Sequence, residues 1–114
     1  MKQPSRVKAA MRAGSKAYGY KLSFPSPWVI DILGKLDFDF VLFDGEHGPF
    51  GLDQLEDLCR TAERRNLTTI ARVPDIGSST ILRYLDRGIM SILGPHLATA
   101  AMCGPNMLMI PRSR

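Results

Sequence analysis

Apolar residues along the chain follow helical spacing in three stretches after residue 25. Ser26-Pro27 is typical of a helix start, because the serine caps free amides and proline has no amide hydrogen to leave unpaired. The second stretch covers residues 52–62, and the third begins at Gly77-Ser78. The residues predicted to face inward are Val29, Ile32, Leu33 and Leu36; Leu52, Leu55, Leu58, Cys59 and Ala62; and Ile81, Leu82 and Leu85.

Short runs rich in β-branched and aromatic residues separate these helices. They cover residues 18–24, 38–43, 68–74 and 89–93, and they predict four strands. A helix before the first strand has Val7, Ala10 and Met11 on its apolar side and stops at Gly14. The order βαβαβαβ predicts right-handed crossovers and a parallel sheet, in either an open doubly wound fold or a barrel. After Thr99 the pattern fails, since no amphipathic face develops around Gly104-Pro105.

Composition limits the class of protein. A chain of 114 residues with 45% apolar content predicts one globular domain, and no apolar run approaches the roughly 20 residues of a membrane span. Two cysteines far apart favour a reducing compartment, so we expect a soluble, cytoplasmic protein.

The net charge is +4 and both ends of the chain are basic, which resembles a transit peptide or a nucleic-acid arm. A solvated first helix is favoured instead, because clustered arginines and interleaved aromatics are missing. We therefore predict no nucleic-acid or membrane partner.

Titratable residues crowd the end of the second predicted strand, where Asp44, Glu46 and His47 follow an apolar run. Arg72 lies near the end of the third strand. In parallel α/β folds, neighbouring strands lie about 4.8 Å apart and substrates bind at their carboxyl ends. His47 could take a proton there while Arg72 holds an anionic oxygen, which suits enolate chemistry. The alternatives are a structural histidine and an arginine paired with a surface acid.

Other catalytic motifs are missing from the sequence. It contains no glycine-rich phosphate loop, no pair of Cys-x-x-Cys knuckles and no His-Glu-x-x-His helix. A metal site formed by Asp44, Glu46 and His47 is a weaker hypothesis, because three ligands within one tight loop seldom converge on one ion. Capping of backbone amides by Asp44 is the favoured alternative.

Four separate motifs resemble one enzyme family. They are Phe-Asp-Phe-Val-Leu-Phe-Asp-Gly-Glu-His-Gly-Pro at 38–49, Ala-Arg-Val-Pro at 71–74, Leu-Asp-Arg-Gly at 85–88 and Gly-Pro-His at 94–96. Their order is similar to that in the HpcH/HpaI family of metal-dependent pyruvate aldolases, over about residues 7–100. The resemblance implies a partial TIM (β/α)8 barrel, about the first four β/α units, in residues 1–100. Residues 101–114 form an atypical tail.

The resemblance also implies roles for individual residues. His47 is expected to be the general base, while Arg72 binds the pyruvate end and stabilises the enolate. Asp86 matches the aspartate that raises the basicity of this histidine, and Asp44 is a local alternative. Asp44 and Glu46 are expected to hold the catalytic residues in position without contacting the substrate. If Asp86 ends its helix, it lies at the opposite end of the barrel from His47. Its helix must then end early, or Asp86 must act on a neighbouring subunit.

A divalent metal, Mg, Mn or Co, is expected for the family, but its glutamate and aspartate ligands belong to later strands beyond this chain. Relatives also continue past residue 100 with an acidic helix, so we hypothesise a truncated or frameshifted member. The function implied is cleavage of 4-hydroxy-2-oxo acids to pyruvate and an aldehyde. The alternative is a non-catalytic fragment that folds by pairing with a partner or a complementing half. Unpaired sheet edges predict a homo-oligomer, and the expected ligand is a small 2-oxo acid.

Overall fold

The computed structural model describes residues 4–95 and the backbone of residues 107–108. Four strands lie where the sequence predicts them, and a short fifth strand was not predicted. The tail residues other than 107–108 lie outside the described part of the chain. The helices are α1 Arg6–Ala13, α2 Pro27–Lys35, α3 Leu52–Arg64 and α4 Ser78–Asp86. The strands are β1 Gly19–Leu22, β2 Phe40–Asp44, β3 Thr68–Arg72, β4 Ser91–Leu93 and β5 Met107–Leu108.

All five strands are parallel, and their order in the sheet follows the chain from β1 to β5. A doubly wound sheet reverses strand order at a switch point, whereas barrel strands are added in one direction. The observed order therefore confirms the α/β prediction and selects the partial barrel over the open sheet. Within the described residues, β1 forms one end of the sheet and has no neighbour beyond it.

The two faces of the sheet have different coverings. The outer face packs against α2, α3 and α4 and forms the main core, with fully buried Leu22, Val41, Phe43, Ala71 and Ile92. On the inner face, Val7 of α1 joins Ile70 and Leu93. The first helix thus covers part of the inner face of the sheet. Its Met11, predicted to face inward, is exposed.

Capping residues act as the sequence indicates. Ser26 Oγ accepts a hydrogen bond from the Val29 amide at 3.4 Å, and Pro27 occupies the first turn of α2. Gly14 ends α1 in the left-handed region, with a φ of 68°, and Gly88 follows α4 with a φ of 109°. No helix within residues 4–95 combines the length and the apolar content needed to cross a membrane.

The predicted inward faces of α2 and α4 need correction. Ile32 and Leu36 are 54% and 64% exposed, and Ile30 is the residue buried against the sheet together with Leu33. In α4, Leu82 is exposed and Tyr84 is buried. Apolar residues surround most of α2, so spacing alone fits more than one face. The position of the sheet selects Ile30.

We expect Ile30→Ala to lower the free energy of unfolding by about 2–4 kcal/mol, because it removes fully buried methyl groups. Ile32→Ala is the matched control on the same helix, and it should cost less than about 0.5 kcal/mol. Urea denaturation followed by far-ultraviolet circular dichroism measures both. Equal losses for the two variants would contradict the observed orientation of α2.

Candidate active site

Asp44 and Arg72 end neighbouring strands and lie side by side. In the parallel register, Asp44 is opposite Arg72 and Leu42 is opposite Ile70. Because side chains alternate between the faces of a strand, these four residues belong to the inner face. The acid and the guanidinium therefore stand at the carboxyl ends of β2 and β3, where parallel α/β folds place their chemistry.

The Asp44 carboxylate is buried and accepts hydrogen bonds from three sides. Its Oδ1 accepts from the amides of Glu46 and His47, at 3.1 and 3.0 Å, and from Arg72 Nε at 3.0 Å. Its Oδ2 accepts from Arg72 Nη2 and lies 3.2 Å from Lys21 Nζ. The residue is only 2% exposed. Asp44 thus caps the loop that follows β2 and anchors the arginine of β3.

Electrostatics keep this pair charged. The Arg72 hydrogen bonds hold the pKa of the Asp44 carboxyl well below its ordinary value, and burial only partly opposes them. The His47 amide and Lys21 lower this pKa further. In return, the hydrogen bond to Asp44 raises the pKa of Arg72. Asp44 is therefore an anchoring anion and is unsuited to take a proton near neutral pH.

Glu46 connects His47 to Arg72. Its Oε1 lies 3.1 Å from His47 Nε2, and its Oε2 lies 3.6 Å from Arg72 Nε. The His47 side chain is 68% exposed. A carboxylate at Nε2 favours the tautomer with its proton on that nitrogen, which leaves Nδ1 as the basic atom. The Glu46 carboxylate thus lies between His47 and Arg72, and a pocket shared by these two residues stays a prediction.

Gly45 shapes the loop between these residues. Its amide donates to the Arg72 carbonyl at 2.7 Å, and the Gly48 amide donates to the Asp44 carbonyl at 2.9 Å. A Cβ atom at Gly45 would collide with the buried Tyr84 hydroxyl and the Arg72 carbonyl. Only glycine therefore lets the backbone pass between α4 and β3 while both amides after it point at Asp44.

Asp86 lies away from the other predicted site residues. It is the last residue of α4, which starts after the carboxyl end of β3 and returns to the amino end of β4. There it lines a cavity of about 620 Å³ with Arg12, Glu63 and Met90. The expectation that its helix ends early is wrong, since α4 continues through Asp86. Contact from a neighbouring subunit stays a hypothesis for Asp86. The local alternative, Asp44, accepts a hydrogen bond from the His47 amide.

Lys21 is a site residue that the sequence did not reveal. It is paired with Leu42 in the register of β1 and β2, which places it on the inner face below Asp44. Side-chain alternation along β1 would have placed Lys21 on the inner face if the register between β1 and β2 had been known. The sequence does not give this register, because it is set by the pairing of the strands in the fold.

The described residues do not fit a metal ion. Within residues 4–95, no group of three His, Cys, Asp or Glu side chains has the arrangement to hold one. Oxygens of Asp44 and Glu46 are already engaged by Arg72, Lys21 and His47. The hypothesis of a metal held by Asp44, Glu46 and His47 is therefore wrong for this arrangement.

Known proteins are similar to this chain in sequence and in the arrangement of strands. No family model matches the chain. A 4-hydroxy-2-oxovalerate aldolase of Novosphingobium aromaticivorans is 35% identical over 94 residues, which is 82% of this chain and 36% of the relative. The structure of the citrate synthase SbnG superposes with a TM-score of 0.73 at 32% identity, over 80% of this chain and 37% of that one. An HpcH/HpaI aldolase from Desulfitobacterium hafniense DCB-2, at 22% identity, has a TM-score of 0.77 over 84% of this chain and 38% of its own, which supports the fold.

Parallel strands that follow the order of the chain across the sheet have the arrangement of a TIM barrel, which is present here in part. The chain is similar in sequence and in fold to aldolases, one of which is of the HpcH/HpaI type. It spans a little over a third of the length of the curated relatives it matches.

We expect Asp44→Asn to lower the free energy of unfolding by about 2–3 kcal/mol at pH 7, because Arg72 and Lys21 lose their anion. The folded-state pKa of Asp44 is depressed, so its contribution is complete above the ordinary pKa of about 3.9 and declines as pH falls below it. The difference between wild type and variant should therefore shrink at pH 3. Urea titrations at both values of pH measure it.

The exposed pair of Asp31 and Arg65, at 3.0 Å, provides the control. Asp31→Asn should cost less than about 1 kcal/mol at pH 7. A cost for Asp44→Asn that is no larger, or that grows at pH 3, would contradict the anchoring role.

Proposed function

We propose that this chain carries the base and the pyruvate-binding side of an aldolase site that cleaves 4-hydroxy-2-oxo acids to pyruvate and an aldehyde. The observation that carries the proposal is the carboxylate of Glu46, which contacts the His47 imidazole and the Arg72 guanidinium. The names of relatives, such as 4-hydroxy-2-oxovalerate aldolase and 5-keto-4-deoxy-D-glucarate aldolase, support the substrate class.

The residues have complementary tasks in such a cleavage. His47 Nδ1 takes the proton of the substrate's C4 hydroxyl, the C3–C4 bond breaks, and the electron pair enters the enolate of pyruvate. Glu46, at Nε2, stabilises the imidazolium that forms. Arg72, held by Asp44, offers its charge to the enolate and carboxylate oxygens, and a proton then returns to C3.

The divalent metal expected for the family remains part of the proposal, with its ligands supplied from outside the described residues. The small-molecule partner is the 2-oxo acid itself. The neighbouring subunit expected from the open sheet edge is also where Asp86 would meet a second copy of His47.

A second candidate is a fragment without catalysis of its own, which folds by pairing with a complementing half. The observation that favours it is the span of the chain, a little over a third of its relatives. Pyruvate release with Mg²⁺, Mn²⁺ or Co²⁺ separates the two candidates. Release from the wild-type chain supports the enzyme, and none with any metal supports the fragment.

We expect His47→Ala to reduce pyruvate release by about 10²–10⁴-fold, because a general base contributes roughly that factor. Arg72→Lys should also reduce it, since lysine cannot reproduce the two-point contact with Asp44. Exchange of pyruvate methyl protons for deuterium, followed by proton NMR, measures the enolisation step alone.

Arg83→Ala, on the exposed side of α4, is the control for these assays and should keep wild-type rates. Undiminished exchange in the His47 variant would remove this residue from the mechanism.

Asp86 is tested by mixing two impaired variants. If Asp86 acts on His47 of the neighbouring subunit, a mixed dimer of His47→Ala and Asp86→Asn chains contains one site with both native residues. Co-refolded in equal amounts, the variants should recover about a quarter of the wild-type rate. No recovery from two folded, associating variants would show that the residues do not act together across subunits.

A further inference from the structure

Lys21 lies near the carboxyl end of β1, on the inner face of the sheet. Its Nζ is 3.2 Å from Asp44 Oδ2, and Asp44 is its only ion-pair partner among residues 4–95. An ammonium group has three N–H donors, so one contact with Oδ2 leaves two of them unused. The Lys21 side chain is 52% exposed, whereas that of Asp44 is 4% exposed. Lys21 therefore offers donors and a positive charge to a ligand at this end of the sheet.

Arg72 binds the same carboxylate and also keeps unused donors. Its Nε donates to Asp44 Oδ1 at 3.0 Å, and its Nη2 donates to Asp44 Oδ2. A guanidinium has five N–H donors, so Nη1 and the second hydrogen of Nη2 are not needed for Asp44. Since Lys21 Nζ and Arg72 Nη2 both contact Oδ2, the ammonium and the Nη2 side of the guanidinium are neighbours. Two cations beside one buried anion leave an excess of positive charge.

The two sides of the guanidinium have different surroundings. Glu46 Oε2 lies 3.6 Å from Arg72 Nε, and Glu46 Oε1 lies 3.1 Å from His47 Nε2. The imidazole and its carboxylate are thus on the Nε side of Arg72, while Lys21 is on the Nη2 side. The groups follow the order His47, Arg72, Lys21. Because Glu46 balances charge on the Nε side, the excess positive charge belongs to the side of Lys21.

A 4-hydroxy-2-oxo acid carries its oxygen groups in a matching order, with the C4 hydroxyl, then the C2 carbonyl, then the C1 carboxylate. We propose that Lys21 binds the C1 carboxylate of this substrate, an inference that rests on the function proposed above for His47 and Arg72. With the C4 hydroxyl at His47 and the C2 oxygen at Arg72, the carboxylate reaches the Nη2 side. There its two oxygens accept charge-assisted hydrogen bonds from the lysine and the arginine. Lys21 is then a substrate-binding residue that selects 2-oxo acids over uncharged 2-oxo compounds.

The alternative is a structural lysine that only balances the charge of Asp44. Such a lysine supports Asp44 and Arg72 whatever the charge of the ligand. A lysine that binds substrate discriminates between a carboxylate and a neutral group of similar shape. Pyruvate and pyruvamide, in which an amide replaces the carboxylate, are probes that differ in this way.

Binding of both probes to the full 114-residue chain is titrated by saturation-transfer NMR of the probe methyl signal. We expect the wild-type chain to prefer pyruvate. Lys21→Met, which removes the charge and keeps an apolar stem, should reduce this preference by about tenfold. This is the lower end for a hydrogen bond to a charged group, because the lysine is half exposed. Lys21→Arg should restore most of the preference, since it returns a charged donor.

Lys35→Met is the matched control, because it removes the same charge from an exposed position on α2, which packs on the outer face. It should keep the wild-type preference for pyruvate. Circular dichroism reports whether each variant folds. Lys21→Gln keeps a donor for Asp44 without the charge, and it tests the same point if Lys21→Met does not fold.

Three results would overturn the role of Lys21. They are a wild-type chain without preference for pyruvate, a preference that Lys21→Met leaves unchanged, and an equal loss of affinity for both probes in that variant. Any of these, in a chain that binds pyruvate and exchanges its methyl protons, leaves the proposed aldol chemistry intact. A wild-type chain that neither binds pyruvate nor exchanges its protons contradicts the proposed function and this inference together.

Discussion

The ion pair between Asp44 and Arg72 is the interaction on which the site depends. Burying a carboxylate is costly unless hydrogen bonds and an opposite charge compensate it. Here the parallel register supplies Arg72 from the next strand, and the turn after β2 supplies two amides. The same contacts that keep Asp44 charged also fix the path of the loop and the direction of the guanidinium. Moving any one of these groups would leave the buried anion short of a donor.

This constraint determines which side chains remain available for chemistry. Asp44 uses both oxygens for anchoring, so it is neither a proton acceptor near neutral pH nor an open metal ligand. The next acid, Glu46, is therefore the carboxylate that reaches the imidazole of His47. Asp44 and Glu46 are separated by one glycine, yet they have different tasks. Asp44 lies opposite Arg72 in the register of β2 and β3, whereas Glu46 lies in the following loop and also contacts His47.

Sequence alone predicted most of the fold, because strands and helices here differ clearly in period and in capping residues. It also placed His47, Arg72, Asp44 and Glu46 correctly at the carboxyl ends of strands, since that follows from topology. It failed where several answers satisfy the same pattern. A helix with apolar residues around most of its circumference, such as α2, fits more than one inner face. Its packing against the sheet decides which face is buried. Lys21 needed the register of β1, and Asp86 needed the true end of α4.

The first strand links the incomplete fold to the site. β1 is the end of the described sheet, and it also delivers Lys21 to the anchoring carboxylate of Asp44. An edge strand paired on one side only is held less firmly than a central strand, because half of its backbone groups lack a ladder partner. A unit docked on the free side would fix β1 and with it the lysine beneath the site. The four residues of β1 therefore belong both to the edge of the sheet and to the site. Pairing at this edge would also help to hold the charges around Asp44 in place.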